Sequence, residues 1–250
     1  MKSMVWIAAA AAISLAAPAS AATFVMSLLG GGTTASGSGV GNVRTYSSTV
    51  GAQTLNLTAT AWTNAVNLPT PVVLKSFLGS YTSGLGVTTT AEGTGSGATH
   101  TIDNQIQRDF ILLKFSSAVS LTNMTVTSFL LTGESVADSD ATIFYKNSAT
   151  APSDGMLSSI YFPQFTSFNV AGTAAAGPRA VDGGTHFSDT WLVSAEVASS
   201  GSDAFKDSFK LGSITLTTAI PEPTSWALML VGFGGMGAVL RRRRAGFAVA

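Results

Sequence analysis

The exported part of this chain reads as an all-β fold, a two-sheet sandwich of jelly-roll type, with a cleaved N-terminal signal peptide before it and one C-terminal transmembrane helix after it. Three features point there. Between residues 23 and 220 the composition is Ser, Thr, Gly and Ala broken by short runs of Val, Ile, Leu and Phe, the texture of strands rather than helices. Several of those runs alternate with period two, and about eight to ten of them are joined by Gly, Ser or Asp connections, as in sandwiches. The long apolar segments free of charge lie at the two ends of the chain.

Met1 to Ala22 carries a single charge at Lys2, an apolar core from Met4 to Ala17, the helix breaker Pro18 and the small-residue pattern Ala19-Ser20-Ala21. This predicts a secretory signal peptide, with the Sec translocon and signal peptidase as partners. Cleavage in the region of Ala19, Ala21 and Ala22 leaves a mature chain beginning near Ala22 or Thr23. The apolar core is too short and alanine-rich to favour a retained anchor, which needs about 20 residues.

The domain from 23 to 220 is long enough for one core. Its clearest alternation is Gln53 to Ala61, with Leu55, Leu57, Ala59 and Ala61 on one face and Asn56, Thr58 and Thr60 on the other. Asp109 to Phe115 is almost continuously apolar and predicts a central strand covered on both faces. From Val119 to Leu131 the alternation slips phase at Thr122-Asn123, and a second slip falls at Gly212-Ser213; each predicts a bulge or a turn. Further strands are expected at Val72 to Leu78, Thr142 to Lys146 and Trp191 to Ala198. Gly30 to Gly41, Ala91 to Thr99 and Ala171 to Gly184 are low in complexity and read as long loops.

Charge narrows the function classes. The whole chain is formally neutral, but the domain alone has eight basic side chains against twelve acids, a net −4 without a basic stripe. Nucleic acid is excluded as a partner on that ground. There is no cysteine, so disulfides and thiolate metal sites are excluded.

The tail, 221 to 250, sets Pro221-Glu222-Pro223 before an uncharged run from Trp226 to Leu240, closed by Arg241, Arg242, Arg243 and Arg244. The run is short for a hydrocarbon core of about 30 Å, so Thr224, Ser225 and snorkelling arginines supply the remaining length. A helix over 225–240 follows, with the arginines as stop and orientation signal on the cytoplasmic side and Glu222 on the far side. Two prolines hold Glu222 extended and outside the helix. Gly232 to Gly237 also spells G-x-G-x-x-G, but no strand precedes it and the chain ends before the acidic partner a dinucleotide site needs.

Pro221-Glu222-Pro223-Thr224-Ser225-Trp226-Ala227, the Gly-rich apolar run and the arginine cluster together resemble a PEP-CTERM sorting signal of the PEPxxWA type. The resemblance implies a Gram-negative envelope protein recognised by an exosortase-like membrane protease. Cleavage near the Pro-Glu-Pro motif then releases it, or transfers it to the cell surface. It also implies a biofilm or exopolysaccharide matrix setting. The sorting residues it marks are Pro221, Glu222, Pro223, Trp226 and Ala227. A permanently anchored type I membrane protein with a Pro-rich stalk is the plain alternative. The middle of the domain, from Gly84-Leu85-Gly86-Val87 through His100 to Asn104 to Asp109 to Phe115, with Asp138 to Asp140 and Trp191, also resembles an ectodomain of that family. For this ectodomain the resemblance implies no assured biochemical activity.

Chemistry is sparse. The chain has two histidines, His100 and His186, neither beside a G-x-S-x-G elbow, and each reads more readily as a loop hydrogen-bonder than as a catalytic base. The acids cluster in turn-forming contexts, where Asp and Asn bond their own backbone. Asp103, Asn104, Asp109, Asp138 and Asp140 are also candidates for a structural Ca²⁺, the one cofactor the sequence raises, although EF-hand spacing is absent. Among the aromatics, Trp62, Tyr81, Tyr145, Tyr161, Phe162 and Trp191 read mainly as core, and Tyr161-Phe162-Pro163-Gln164-Phe165 as the best exposed cluster. The expectation is a non-catalytic envelope protein, with a carbohydrate-binding module or a glycan-active enzyme as the alternative.

Overall fold

The computed structural model describes residues 21–30, 33–36, 39–90, 92, 100–196, 205–219 and 232–236. The chain divides into two units, Ala22–Ala219 and a second drawn from Met1–Ala21 and Ile220–Ala250. In the first unit the strands run β1 (Thr23–Ser27), β2 (Thr33–Ser36), β3 (Val43–Val50), β4 (Gln53–Ala65), β5 (Val72–Lys75), β6 (Phe77–Tyr81) and β7 (Gly84–Thr88). They continue as β8 (Ile102–Asp103), β9 (Arg108–Ser128), β10 (Ala141–Tyr145) and β11 (Met156–Leu157), followed by a one-turn helix α1 (Ser158–Tyr161) and a 3-10 turn over Phe162–Gln164. β12 (Thr166–Val170), β13 (Gly177–Ala180), β14 (Ser188–Ala195) and β15 (Ser208–Thr218) complete the fold.

The expected all-β class is present, as one curled antiparallel sheet. Its organiser is β9. The first half of that strand lies between β4 and β14, and its second half lies between β15 and β13. The central strand expected at Asp109–Phe115 and the strand expected from Val119 are therefore one element. Small residues at Ser116, Ser117 and Ala118 let it leave β14, whose partner jumps from Lys114 at Thr190 to Val119 at Ser188.

Both phase slips are bulges. Against β15 the register moves from Asn123↔Thr215 to Leu121↔Leu216, leaving Thr122 as the extra residue, and Gly212 is the extra residue between Leu211↔Val126 and Ser213↔Thr125. The alternation in β4 is also as expected, with Leu55, Leu57, Ala59 and Ala61 buried. Two of the expected loops contain strands instead. β2 pairs with β3, and β13 pairs with β9 although it contains Pro178. Proline is tolerated because β13 pairs on one side alone, so the missing N–H breaks no second ladder. Of the third expected loop, Ala91–Thr99, Glu92 alone is among the described residues.

The main core gathers Phe24, Leu57, Ile111, Leu113, Trp191, Phe209 and Ile214 from the inner face. Trp191 is fully buried, and its indole N–H donates to Val119 O at 3.1 Å and Ser188 O at 3.0 Å. Burying a side chain of that size contributes about 1.5–3 kcal/mol or more. A second cluster on the outer face of the sheet joins Trp62, Phe110, Leu112, Phe144, Leu192 and Tyr161. Tyr161 is 2% exposed, with Phe162 and Phe165 packed beside it, which corrects the expectation of an exposed aromatic cluster. Pro163 does keep the segment out of a strand, but α1 and its 3-10 turn fold the rings down onto Phe110 and Phe144.

The expected signal peptide before Ala21 lies outside the described residues, as do the sorting residues Pro221, Glu222, Pro223, Trp226 and Ala227 and the arginine cluster 241–244. Of the expected membrane helix 225–240, residues 232–236 are described and are helical. Among the described residues no helix is long and apolar enough to cross a membrane.

Candidate functional site

The acids expected to be turn formers or cation ligands are gathered into two clusters. In the first, the carboxylate oxygens of Glu92, Asp103 and Asp109 lie within 4.8 Å of one another. Asp109 enters at the start of β9, is 1% exposed, and accepts a short hydrogen bond from Thr63 Oγ1, which in turn accepts from Ser76 Oγ at 2.8 Å. Asp103 ends β8 and accepts from Thr101 Oγ1 at 3.0 Å and Gln105 N at 3.1 Å. Glu92 Oε2 accepts from Thr89 N at 2.7 Å. Glu92, Asp103 and Asp109, with Thr89, Ile106 and Gln107, line a cavity of about 10 Å³, the size that admits one water.

Burial pushes the Asp109 carboxyl well above the ordinary range, and the neighbouring Asp103 and Glu92 push it further. Burial likewise raises Asp103 and Glu92. Three acids so close do not all ionise: they retain a proton among them unless a cation lies between.

The second cluster joins Asp138, Asp140 and Asp207, also within 4.8 Å. It is organised differently. Asp207 Oδ1 accepts from Asp140 N at 2.9 Å and Asp207 Oδ2 from Asn104 Nδ2 at 2.6 Å, while Asp207 N donates back to Asn104 Oδ1 at 3.0 Å. Asp138 Oδ1 accepts from Ser139 N at 2.6 Å, and Asp140 Oδ1 accepts a short bond from Gly172 N. The Arg179 guanidinium, donating to Ser139 O at 2.7 Å and Thr173 O at 3.0 Å, lends positive potential. Burial, then Asp138 and Asp140, push Asp207 up to about 7.

Of the candidates Asp103, Asn104 and Asp109, the fold keeps the two aspartates together and turns Asn104 away. Asp103 and Asp109 face Glu92, whereas Asn104 turns to Asp207. Glu92 and Asp207 were missed. Thr89-x-x-Glu92 has the spacing of a Thr–Glu capping turn, a local signal for Glu92; Asp207 meets Asp138 through pairing of distant segments, which leaves no local trace. Hard cations take oxygen ligands of this kind, so either set of carboxylates has the donor chemistry to hold one.

Among the described residues, neither histidine stands between a serine and a carboxylate. His100 is buried, shares a short hydrogen bond with Thr88 Oγ1 and stacks on Tyr81 at 5.6 Å, and burial with nearby Lys210 holds its pKa below the usual imidazole value. Lys210 lies 4.2 Å from the Tyr81 ring centre and 4.6 Å from that of Phe129. His186 Nδ1 meets Asp182 Oδ1 at 3.2 Å, but Ser120 Oγ donates to Asp182 at 2.7 Å rather than to the imidazole, so the order Ser–His–Asp is not formed. Burial works to raise Asp182, yet the bonds from Thr185, His186 and Ser120 outweigh it and hold the carboxyl low. The exposed His186 ring rests on the half-buried Tyr145 at 4.8 Å and on Phe168 at 6.2 Å.

Residues 219–244 match the PEP-CTERM protein-sorting motif. The tail is therefore a PEP-CTERM sorting motif, which covers the expected Pro-Glu-Pro segment and arginine cluster and begins one residue after β15 ends. No curated protein and no solved structure matches the chain.

Proposed function

We propose that this chain is an exported cell-envelope protein whose folded part has a structural, non-catalytic role in association with exopolysaccharide, and whose tail is processed by an exosortase-type membrane protease near Pro221–Pro223. The observation that carries the proposal is the match of residues 219–244 to the sorting motif, which implies such a protease and sorting to the cell surface. In this reading the Sec translocon and signal peptidase act at the N-terminus. Glu222 is presented by two prolines that cannot join the helix, and Arg241 to Arg244 keep the C-terminus in the cytoplasm. The competing outcome is a type I protein that keeps its anchor.

The curled sheet fits a sandwich of jelly-roll type in which β9 passes from one layer to the other. A structural role for the domain is supported by histidines tied into non-catalytic contacts. One observation favours a second reading, carbohydrate binding: the rings of Tyr145, Phe168 and His186 gather beside Asp182, and ring faces of this kind stack on sugars. A glycan array with the exported fragment separates the two. Binding that disappears in Tyr145→Ala, with an unchanged melt, moves the assignment to a glycan-binding module, and no binding across the array supports the structural role.

A further inference from the structure

The expected mature N-terminus and the strand that feeds the sorting tail are zipped together. β1 runs along β15 from Thr23↔Thr217 to Ser27↔Ser213. Beyond the ladder, Ala22 N donates to Thr218 Oγ1 at 3.1 Å and Thr218 N donates to Ala22 O at 3.0 Å. The other edge of β15 is held to its last residue by β9, with Thr217↔Ser120 and Thr218↔Val119. Buried Phe24 and Met26 on β1 and Leu216 and Ile214 on β15 seal the pair against the core. A chain end held on both edges is not a frayed terminus.

Only Ala219 and Ile220 separate Thr218 from Pro221. Two residues, fully extended, reach about 7 Å. Enzymes that grip a peptide through its backbone take it as an extended strand, and such a strand, followed upstream from the motif past Ile220 and Ala219, soon reaches Thr218 and Thr217, whose edges are already occupied. Freeing them calls for local opening, and the cheapest place to open is the end of a short edge strand such as β1. β1 begins within two residues of Ala21, so the strand end made by signal-peptide removal is also the one lying over the sorting strand.

We propose that the first residues of β1 gate the sorting cleavage, acting as a positioning element: while Ala22 and Thr23 are docked, the Pro-Glu-Pro segment is held to a two-residue tether, and their release exposes the strand the protease must engage. The inference rests on the reading of the tail as a processed sorting signal.

A disulfide tests it, because the chain has no cysteine of its own. Thr23 and Thr217 face each other on the outer side of the β1–β15 pair, at a position between the bonded pairs, where Cα atoms lie about 4.5 Å apart and within disulfide range. The full chain carrying Thr23→Cys and Thr217→Cys, in membranes from a host with the cognate protease, is followed by intact mass with the bridge oxidised and after dithiothreitol. Closing the bridge should slow processing about tenfold or more, equivalent to adding about 1.4 kcal/mol to the barrier, and reduction should restore the wild-type rate. A Gly/Ser spacer of about eight residues between Ala219 and Ile220 should restore processing with the bridge still closed, since the flexible chain reaches the protease unaided. The melting temperature of the oxidised variant, at or above wild type, shows that the fold is intact. Processing of the bridged chain at the wild-type rate overturns the gate, and so does slowing that the spacer fails to relieve. A wild-type chain left uncut in that host defeats the sorting reading instead.

Discussion

The tail and the sheet carry information in opposite ways. In the tail the signal is written in linear order: a Pro-Glu-Pro triplet, an uncharged run and an arginine cluster, within the residues that match the sorting motif. In the sheet the chemistry is assembled from afar. Asp207 meets Asp138, and Glu92 meets Asp103 and Asp109, only because β8, β9 and β15 bring them together. A linear code can be read from one sequence, whereas a site made by folding cannot, and so the tail discloses a destination while the domain discloses mainly its architecture.

The largest effect should come from the tail. Glu222→Ala leaves the apolar run and the arginines intact, so insertion is unaffected; processing should be lost outright, with the melting temperature of the domain unchanged. A coupled change in the melt would break the separation between the two regions. Within the sheet, the heaviest loss should follow Trp191→Ala, which removes a fully buried ring and two hydrogen bonds and should cost about 3–5 kcal/mol by denaturant unfolding. Gly86→Ala comes next. A Cβ there would overlap His100 O, so β7 and the His100 segment must part, at about 1–3 kcal/mol or more.

The smallest effect is electrostatic. Asp207 is raised in the folded state to about 7, so the native form binds a proton that the unfolded chain has released. Its contribution to stability is full below the ordinary Asp value, near pH 4, and is lost as pH rises through about 7. Thermal melts across that window should show stability falling with pH. In Asp140→Asn the upper end of the fall should move to lower pH, because one of the charges that raises Asp207 is gone. A rise in melting temperature on adding Ca²⁺ at pH 7 would mean that metal, not protons, balances these carboxylates.

What was legible in the domain was whatever depends on near neighbours. The two-residue alternation of β4 and the phase slips at Thr122 and Gly212 appear where the residues said they would, because side-chain direction in a strand is fixed by counting. The strand β13 was hidden because its residues are small and include Pro178, and it is held by pairing with β9 rather than by its own apolar pattern. The burial of Tyr161 leaves no local trace, because it depends on a short helix folding over Phe110, a long-range event. The carboxylates were recognised as turn-forming acids, but their grouping was not, since Asp103 and the adjacent Asn104 serve different clusters.

The intact mass of the wild-type protein exported by a host that carries the cognate sorting protease tests the central claim most directly. The account predicts a C-terminus at or near Pro221–Pro223, with Arg241 to Ala250 absent from the mature chain. A mature protein that still ends in the arginine cluster and Ala250 would contradict it and leave an ordinary membrane anchor in its place.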